Sequence, residues 1–443
     1  MLTKMIAENN KSVELLERRK KVVANGVGVF NTATVQDAKG AIITDLDGRE
    51  LIDFAGGIGV VNAGHSPQTV VKAIQEQAAK YLHTSFNVVS YEPYVELCEK
   101  LTEILPHGKE TKAMLVSTGA EAVENAIKIA RQATGKQAII GFSEAYHGRT
   151  MMAMTLTSKI GYKVGCGPFA PEVYRLRFPN YFLYGGSLDY EAFIDQELEH
   201  LAMSNQSLVD PNAVAAIIIE AVQGEGGFNP VPKRYLEGLR AHCDKYGMML
   251  IIDEVQSGFC RTGYWASWQH YGVTPDISTY AKSMGSGLPI AAVVGRAEVM
   301  DAASPGSIGG TYIGSPVCCA ASLATIKLME DLDLNSRALV VADQVNSRLK
   351  ALQLQFKEIG DIRGLGAMIG LEFVMPDHPK KPNAKLCSDV VKRCAENGLI
   401  IISAGMEKNI IRILSPLVIT DAQLAKGLDI LESAIIDSIN NKL

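Results

Sequence analysis

The chain has 443 residues, 47% of them apolar and 21% charged, with 40 glycines and 17 prolines. This ordinary globular composition excludes a disordered, collagenous or low-complexity chain and allows two or three domains around a large core. Lys and Arg number 43 against 48 Asp and Glu, a net charge of −5, without the basic excess of a nucleic-acid binder.

The first twenty residues carry no long apolar segment and their acids come early, so neither a secretory signal nor an organellar transit peptide is expected. The basic cluster Arg18-Arg19-Lys20-Lys21 reads as a solvated helix face. Ala113–Ser117 is a short apolar run ending in Thr118-Gly119-Ala120, after which Val123, Ala126, Ile127 and Ala130 recur at helical spacing. Buried strands are expected at 137–142, Ala213–Ile219, Met248–Ile252 and Ile290–Val294. Their apolar runs are continuous rather than alternating, which suits a parallel sheet covered by helices on both faces. Lys233–Tyr246 reads as a helix stopped by Gly247. The longest clean apolar run, Ala213 to Ile219, falls far short of the roughly 18 residues that span a bilayer. No membrane partner is therefore expected.

The last third changes character. Val317–Glu330 reads as a buried helix and Arg337–Phe356 as a long amphipathic one. Strands follow at Arg363–Phe373, Gly398–Ile402 and Ile410–Leu414, with a surface loop from Pro376 to Pro382. The expected architecture is a large α/β domain over 61–325 and a smaller α+β domain built from both chain ends, 1–60 and 326–443. The eight cysteines form no C-x-x-C pair and the eight histidines no H-x-x-x-H. Free thiols in a reducing cytoplasm are expected rather than disulfides or a metal centre.

Four motifs bear on chemistry. Ser117-Thr118-Gly119-Ala120-Glu121-Ala122 turns a strand into a helix, where free amides and the helix dipole favour an anion. Asp253 and Glu254 end a buried strand, the position at which α/β sheets bind ligands. An acid pair there could also serve Mg²⁺ or a nucleotide, but no G-x-x-x-x-G-K-[ST] supplies the phosphate loop. Lys282 precedes the glycine-rich Gly285-Ser286-Gly287, a setting in which a lysine can form a Schiff base. Gly364-Leu365-Gly366 to Gly370 is spaced one residue too long for a dinucleotide fingerprint and reads as a structural turn. A Schiff-base lysine, an acid for a ring nitrogen and a phosphate cradle are together what pyridoxal 5′-phosphate (PLP) requires.

The sequence resembles the class III, fold-type I PLP-dependent aminotransferases, most closely the bacterial 4-aminobutyrate aminotransferases. The likeness runs from Ile52-Asp53-Phe54 to Arg412-Ile413-Leu414-Ser415-Pro416. It passes through Thr118–Asn125, Tyr146-His147-Gly148-Arg149-Thr150, Ile219–Phe228, Asp253–Gly258, Lys282 and Gly309-Gly310-Thr311-Tyr312. The resemblance implies that Lys282 joins the cofactor covalently and that Asp253 pairs with its ring nitrogen. Tyr146 and Val255 would flank the ring and Gln256 would meet its hydroxyl. The backbone of Gly119 and Ala120 would hold the phosphate, joined by Thr311 from a neighbouring subunit in a homodimer or dimer of dimers.

On the substrate side, the resemblance gives Arg149 the distal carboxylate and Arg412 the α-carboxylate, since a guanidinium fork binds carboxylates bidentately. Glu225 would pair with Arg412 when the substrate lacks an α-carboxylate. Glu220 would support the site, and Ile58 replaces the aromatic residue of ornithine aminotransferases. The implied reaction moves the ω-amino group of 4-aminobutyrate to 2-oxoglutarate. 5-Aminovalerate and acetylornithine aminotransferases, and more distantly a PLP-dependent epimerase, are the rivals. Ala120, Ala221, Asn87, Ile313 and Ser315 depart from the family's usual residues.

Overall fold

The computed structural model describes residues 10–184, 190–201 and 208–440; residues 1–9, where a leader was discounted, lie outside them. A seven-stranded sheet forms the centre, in the order Thr111–Val116, Ala291–Arg296, Ile277–Tyr280, Met249–Asp253, Val214–Ile219, Ala138–Phe142, Val173–Leu176. Ala291–Arg296 runs antiparallel to both neighbours and the other pairings are parallel. Val214–Ile219 is buried at every residue, as a strand covered on both faces must be. This mostly parallel sheet flanked by helices is the fold the sequence predicts.

The four strands of this sheet expected from apolar runs are found within a residue or two of their predicted ends, and Lys233–Tyr246 is helical with left-handed Gly247 closing it. Ile277–Tyr280 escaped the hydrophobic pattern because three of its four residues carry hydroxyls. All four are buried: Ser278 Oγ meets His107 Nε2 at 2.7 Å and Tyr280 Oη at 2.9 Å, while Thr279 Oγ1 donates to Asp253 at 3.0 Å. Satisfied hydroxyls cost little to bury, so polarity here does not mark a loop.

The chain ends share a sheet. Glu50–Asp53 pairs in parallel with Leu399–Ile400 and antiparallel with Ile42–Thr44. A further sheet joins Ile359–Leu365, Met368–Met375, Ile410–Ile413 and Ile402–Ala404. Two expectations are corrected here. The single strand expected at Arg363–Phe373 is a hairpin, Ile359–Leu365 against Met368–Met375, because Gly366 takes φ +51 and turns the chain. The loop expected from Pro376 to Pro382 contains a strand, His378–Pro382, exposed at the edge of that hairpin, where proline's missing N–H does no harm. Among the described residues no helix is long and apolar enough to cross a membrane.

Arg261 joins three segments, two of which adjoin residues of the site. It is fully buried. Its guanidinium donates to Asn62 Oδ1, to Ala367 O at 3.0 Å and to Ser415 O at 2.9 Å, and burial lowers its pKa to about 9. Asn62 follows the loop that carries Ile58, and Ser415 follows the strand that carries Arg412. Arg261→Met would leave these acceptors unpaired, each at about 1–3 kcal/mol. The expected loss of stability, at least about 3 kcal/mol for the three acceptors together, would appear as a lower urea midpoint; an unchanged midpoint would show that the carbonyls find other donors.

Candidate functional site

Parallel strands deliver their carboxyl ends to one edge of the sheet, and the candidate residues lie along that edge. Asp253 ends Met249–Asp253 and pairs in register with Thr279 of the next strand, which places Lys282, just past Tyr280, beside it. Lys282 takes φ +46, uncommon for a residue with a side chain, and the turn is held by Ser283 Oγ donating to Gly59 O at 2.8 Å. Burial lowers the Lys282 pKa to about 8, although Glu225, Asp253 and Glu220 pull it upward.

Asp253 is anchored from three directions. Its Oδ1 accepts from Val255 N and Thr279 Oγ1, both at 3.0 Å, and its Oδ2 lies 2.7 Å from His147 Nδ1. Burial alone would depress the His147 pKa, but the hydrogen bond and charge of Asp253 outweigh it and hold the imidazole above its ordinary value. The neighbouring acid faces the other way, as alternate strand residues do. Glu254 is enclosed by Ser257 Oγ, Ser267 N, Ser267 Oγ and Trp268 N at 2.6–3.0 Å. Asp253 and Glu254 therefore do not converge on one ion.

The helix Gly119–Thr134 starts at the same edge. Thr118 caps it, and Glu121 closes a capping box by accepting from Ser117 N at 2.7 Å and Thr118 N at 3.2 Å. The amides of Gly119 and Ala120 belong to the first turn, which has no intrahelical acceptors. A Cβ at Gly119 would stand 2.9 Å from Val255 Cγ1, and one at Gly148 would stand 2.7 Å from Ala120 Cβ. Both glycines allow the helix start, Val255 and the Tyr146–Arg149 turn to close on one space. Glu220 braces the turns beneath it, accepting from Tyr146 N and Gly224 N, each at 3.0 Å; burial raises its pKa to about 7.

These elements enclose a cavity of about 710 Å³. Ile58, Gly119, Ala120, Tyr146, Arg149, Glu220, Glu225, Asp253, Val255, Gln256 and Lys282, all predicted from sequence, line it. Arg412, buried on Ile410–Ile413, reaches the same site by pairing with Glu225. Arg149 is exposed where it lines the cavity, with its guanidinium 5.8 Å from the Tyr162 ring. Ile58 stands at φ +68, a strained state for a β-branched residue of the kind that collects at functional sites. Thr311 is exposed and does not line this chain's cavity. Of the departures from the family's usual residues, only Ala120 lines it. His147, Thr279, Lys159 and Tyr162 were not singled out from sequence. His147 was visible only inside the Tyr146–Thr150 motif, and Thr279 sits in the strand the apolar pattern missed.

The residues fit PLP. An anchored carboxylate faces the space a ring would fill, a lysine of lowered pKa stands beside it, and a helix start opens onto it. Gln256 Oε1 is buried there without a hydrogen-bond partner among the described residues. Fold and site thus define a fold-type I PLP-dependent enzyme.

Comparison with known proteins agrees. The class-III aminotransferase family model matches residues 22–435. The 5-aminovalerate aminotransferase DavT of Pseudomonas putida is 46% identical, over 94% of this chain and 97% of its own length. The 4-aminobutyrate aminotransferase GabT of Escherichia coli is 45% identical, over 95% and 98%. An ornithine aminotransferase structure from Toxoplasma gondii, described with PLP in partial occupancy at its active site, superposes with a TM-score of 0.84 at 27% identity, over 97% and 95%. The chain belongs to the class-III aminotransferases, and its cofactor is PLP.

The lowered Lys282 pKa has a direct consequence. At pH 8 about half of the amine would be neutral, against under 1% for an ordinary lysine. In cofactor-free protein, labelling of Lys282 by an amine-directed reagent should rise with pH about a midpoint near 8. Mass spectrometry of the labelled peptide checks this, and a midpoint above 10 would contradict it.

Proposed function

We propose that the enzyme transfers the ω-amino group of 4-aminobutyrate to 2-oxoglutarate, giving succinate semialdehyde and glutamate in a ping-pong cycle. The Arg412–Glu225 ion pair near Lys282, with Arg149 lining the same cavity, carries this reading. Two guanidinium groups suit a dicarboxylate, and a carboxylate that occupies one of them suits a monocarboxylate. An amino-acid epimerase needs no receptor for a second carboxylate, so the pair argues against that rival.

When bound, PLP supplies the aldehyde that carries the amino group and a ring that withdraws electrons. Gly119 and Ala120 amides would hold its phosphate, with Thr311 of a second copy completing the cradle in a dimer. Tyr146 and Val255 would fix the plane of the ring, and Gln256 would meet its hydroxyl. Asp253, anchored by His147, Thr279 and the Val255 amide, would pair with the ring nitrogen and favour its protonated form. Lys282 Nζ would remove the proton from the amine-bearing carbon of the substrate, a task suited to a base whose pKa lies near 8. Arg149 would take the carboxylate common to both substrates. Arg412 would take the α-carboxylate of 2-oxoglutarate once Glu225 moves aside, while Glu220 keeps the Tyr146 and Gly224 turns in place.

A second reading, with 5-aminovalerate as the preferred donor, is favoured by the DavT relatives from two Pseudomonas species at 46% and 45% identity. The two donors differ by one methylene, worth about 1–3 kcal/mol in an apolar pocket, and the apolar Ile58 is among the residues lining the cavity. Values of kcat/KM for the two amines separate the readings.

Two outcomes test the mechanism. Asp253→Asn should lower turnover by about 10²–10³, as expected when an electrostatic partner is lost from a water-excluded site; near-wild-type turnover would assign the role to another acid. In stopped-flow absorbance of the separate half-reactions, Glu225→Ala should chiefly slow 4-aminobutyrate, and Arg412→Ala should chiefly weaken 2-oxoglutarate and glutamate. Equal losses in both halves would refute the gate and reopen the epimerase reading.

A further inference from the structure

Glu225 has a second cation beside it. Lys159 lies between the helix Met151–Leu156 and the turn Ile160–Tyr162. Its Nζ is 3.7 Å from Glu225 Oε2, and the two side chains are only 19% and 12% exposed. Tyr162 Oη is 3.5 Å from the same oxygen. Arg412, by contrast, binds Oε1. The backbone keeps these groups together, since Gly405 N donates to Glu225 O at 3.0 Å and Gly405 O lies 3.5 Å from Lys159 Nζ. The carboxylate is thus shared edge to edge between two cations on different elements.

We infer that Lys159 is a positioning residue for dual-substrate use, holding the Glu225 carboxylate when a substrate α-carboxylate takes Arg412. This rests on the gate reading above. The charges require such a group. At rest, Arg412 and Lys159 face one resident anion. An incoming α-carboxylate makes two cations face two anions, and Arg149 separately meets the carboxylate that both substrates carry. Lys282 also acts on Glu225 from within the cavity. Without Lys159, however, a dicarboxylate would leave both anions to share the Arg412 guanidinium as their paired partner, in a site where an unpaired buried charge is costly. Glu225 need not leave the site: losing the Oε1 contact, it retains the Lys159 and Tyr162 partners already at Oε2. Burial lowers the Lys159 pKa, and Glu225 opposes that shift. The ammonium is therefore stabilised by the carboxylate it serves.

The test uses the PLP-loaded enzyme and two unreactive probes, glutarate with two carboxylates and butyrate with one. Lys159→Met should raise the dissociation constant of glutarate, and KM for 2-oxoglutarate, about tenfold, as fits a largely buried but not sealed ion pair. Butyrate and 4-aminobutyrate should change less than about twofold. Lys159→Arg should restore most of the loss, which a purely packing role would not predict. In a Glu225→Ala background the glutarate effect of Lys159→Met should fall below about twofold. Persistence of the full effect there would make Lys159 a direct substrate contact and overturn the inference, as would equal weakening of both probes or no weakening at all. Loss of the half-reaction asymmetry in Glu225→Ala alone would instead refute the gate itself, so the two failures are distinguishable.

Discussion

Everything at the site depends on the parallel pairing of Met249–Asp253 with Ile277–Tyr280. The Asp253–Thr279 register brings a carboxylate and a lysine, distant in sequence, to one sheet edge, and the same register lets Thr279 Oγ1 hydrogen-bond the carboxylate it adjoins. A slip of one residue would send Asp253 to the opposite face. The hydroxyl-bearing strand is therefore part of the chemistry as well as the core: its side chains fix the acid from one side, while His147 fixes it from the other.

Around that edge, order comes from glycines and from acids that act as braces. Gly119 and Gly148 let three backbones approach where any Cβ would collide. Glu121, Glu220 and Glu254 tie turns by accepting backbone N–H groups, so most acids near the cavity serve geometry. Asp253 and Glu225 differ in kind. Each is held against a positive or protonatable partner, His147 for one and Arg412 for the other. The first pairing is enclosed. The second borders the cavity, where a competing carboxylate can reach it.

How much of this could be read from the sequence varied with the signal. Continuous apolar runs located Val214–Ile219 and its neighbours, because two-sided burial demands them. The same rule failed for Ile277–Tyr280, whose hydroxyls are satisfied inside. At Gly366 one turn divided what read as a single strand, and at His378–Pro382 edge exposure disguised a strand as a loop. For the site, the resemblance named the lining residues, and the fold gathers all but Thr311 at one chain's cavity. It left out His147, Thr279, Lys159 and Tyr162. Their parts are defined by contacts across the fold, such as the approach of Lys159 to Glu225 from a separate loop, which no local spacing encodes.

On the proposed reaction, one cavity would admit two classes of substrate by breaking and remaking the Arg412–Glu225 pair. Crystal structures of the PLP-loaded enzyme with glutarate and with butyrate would test it most directly. Butyrate should leave the pair intact, and glutarate should place one carboxylate on Arg149 and the other on Arg412, with Glu225 displaced toward Lys159. A glutarate complex in which Arg412 still holds Glu225, and the second carboxylate binds elsewhere, would contradict it.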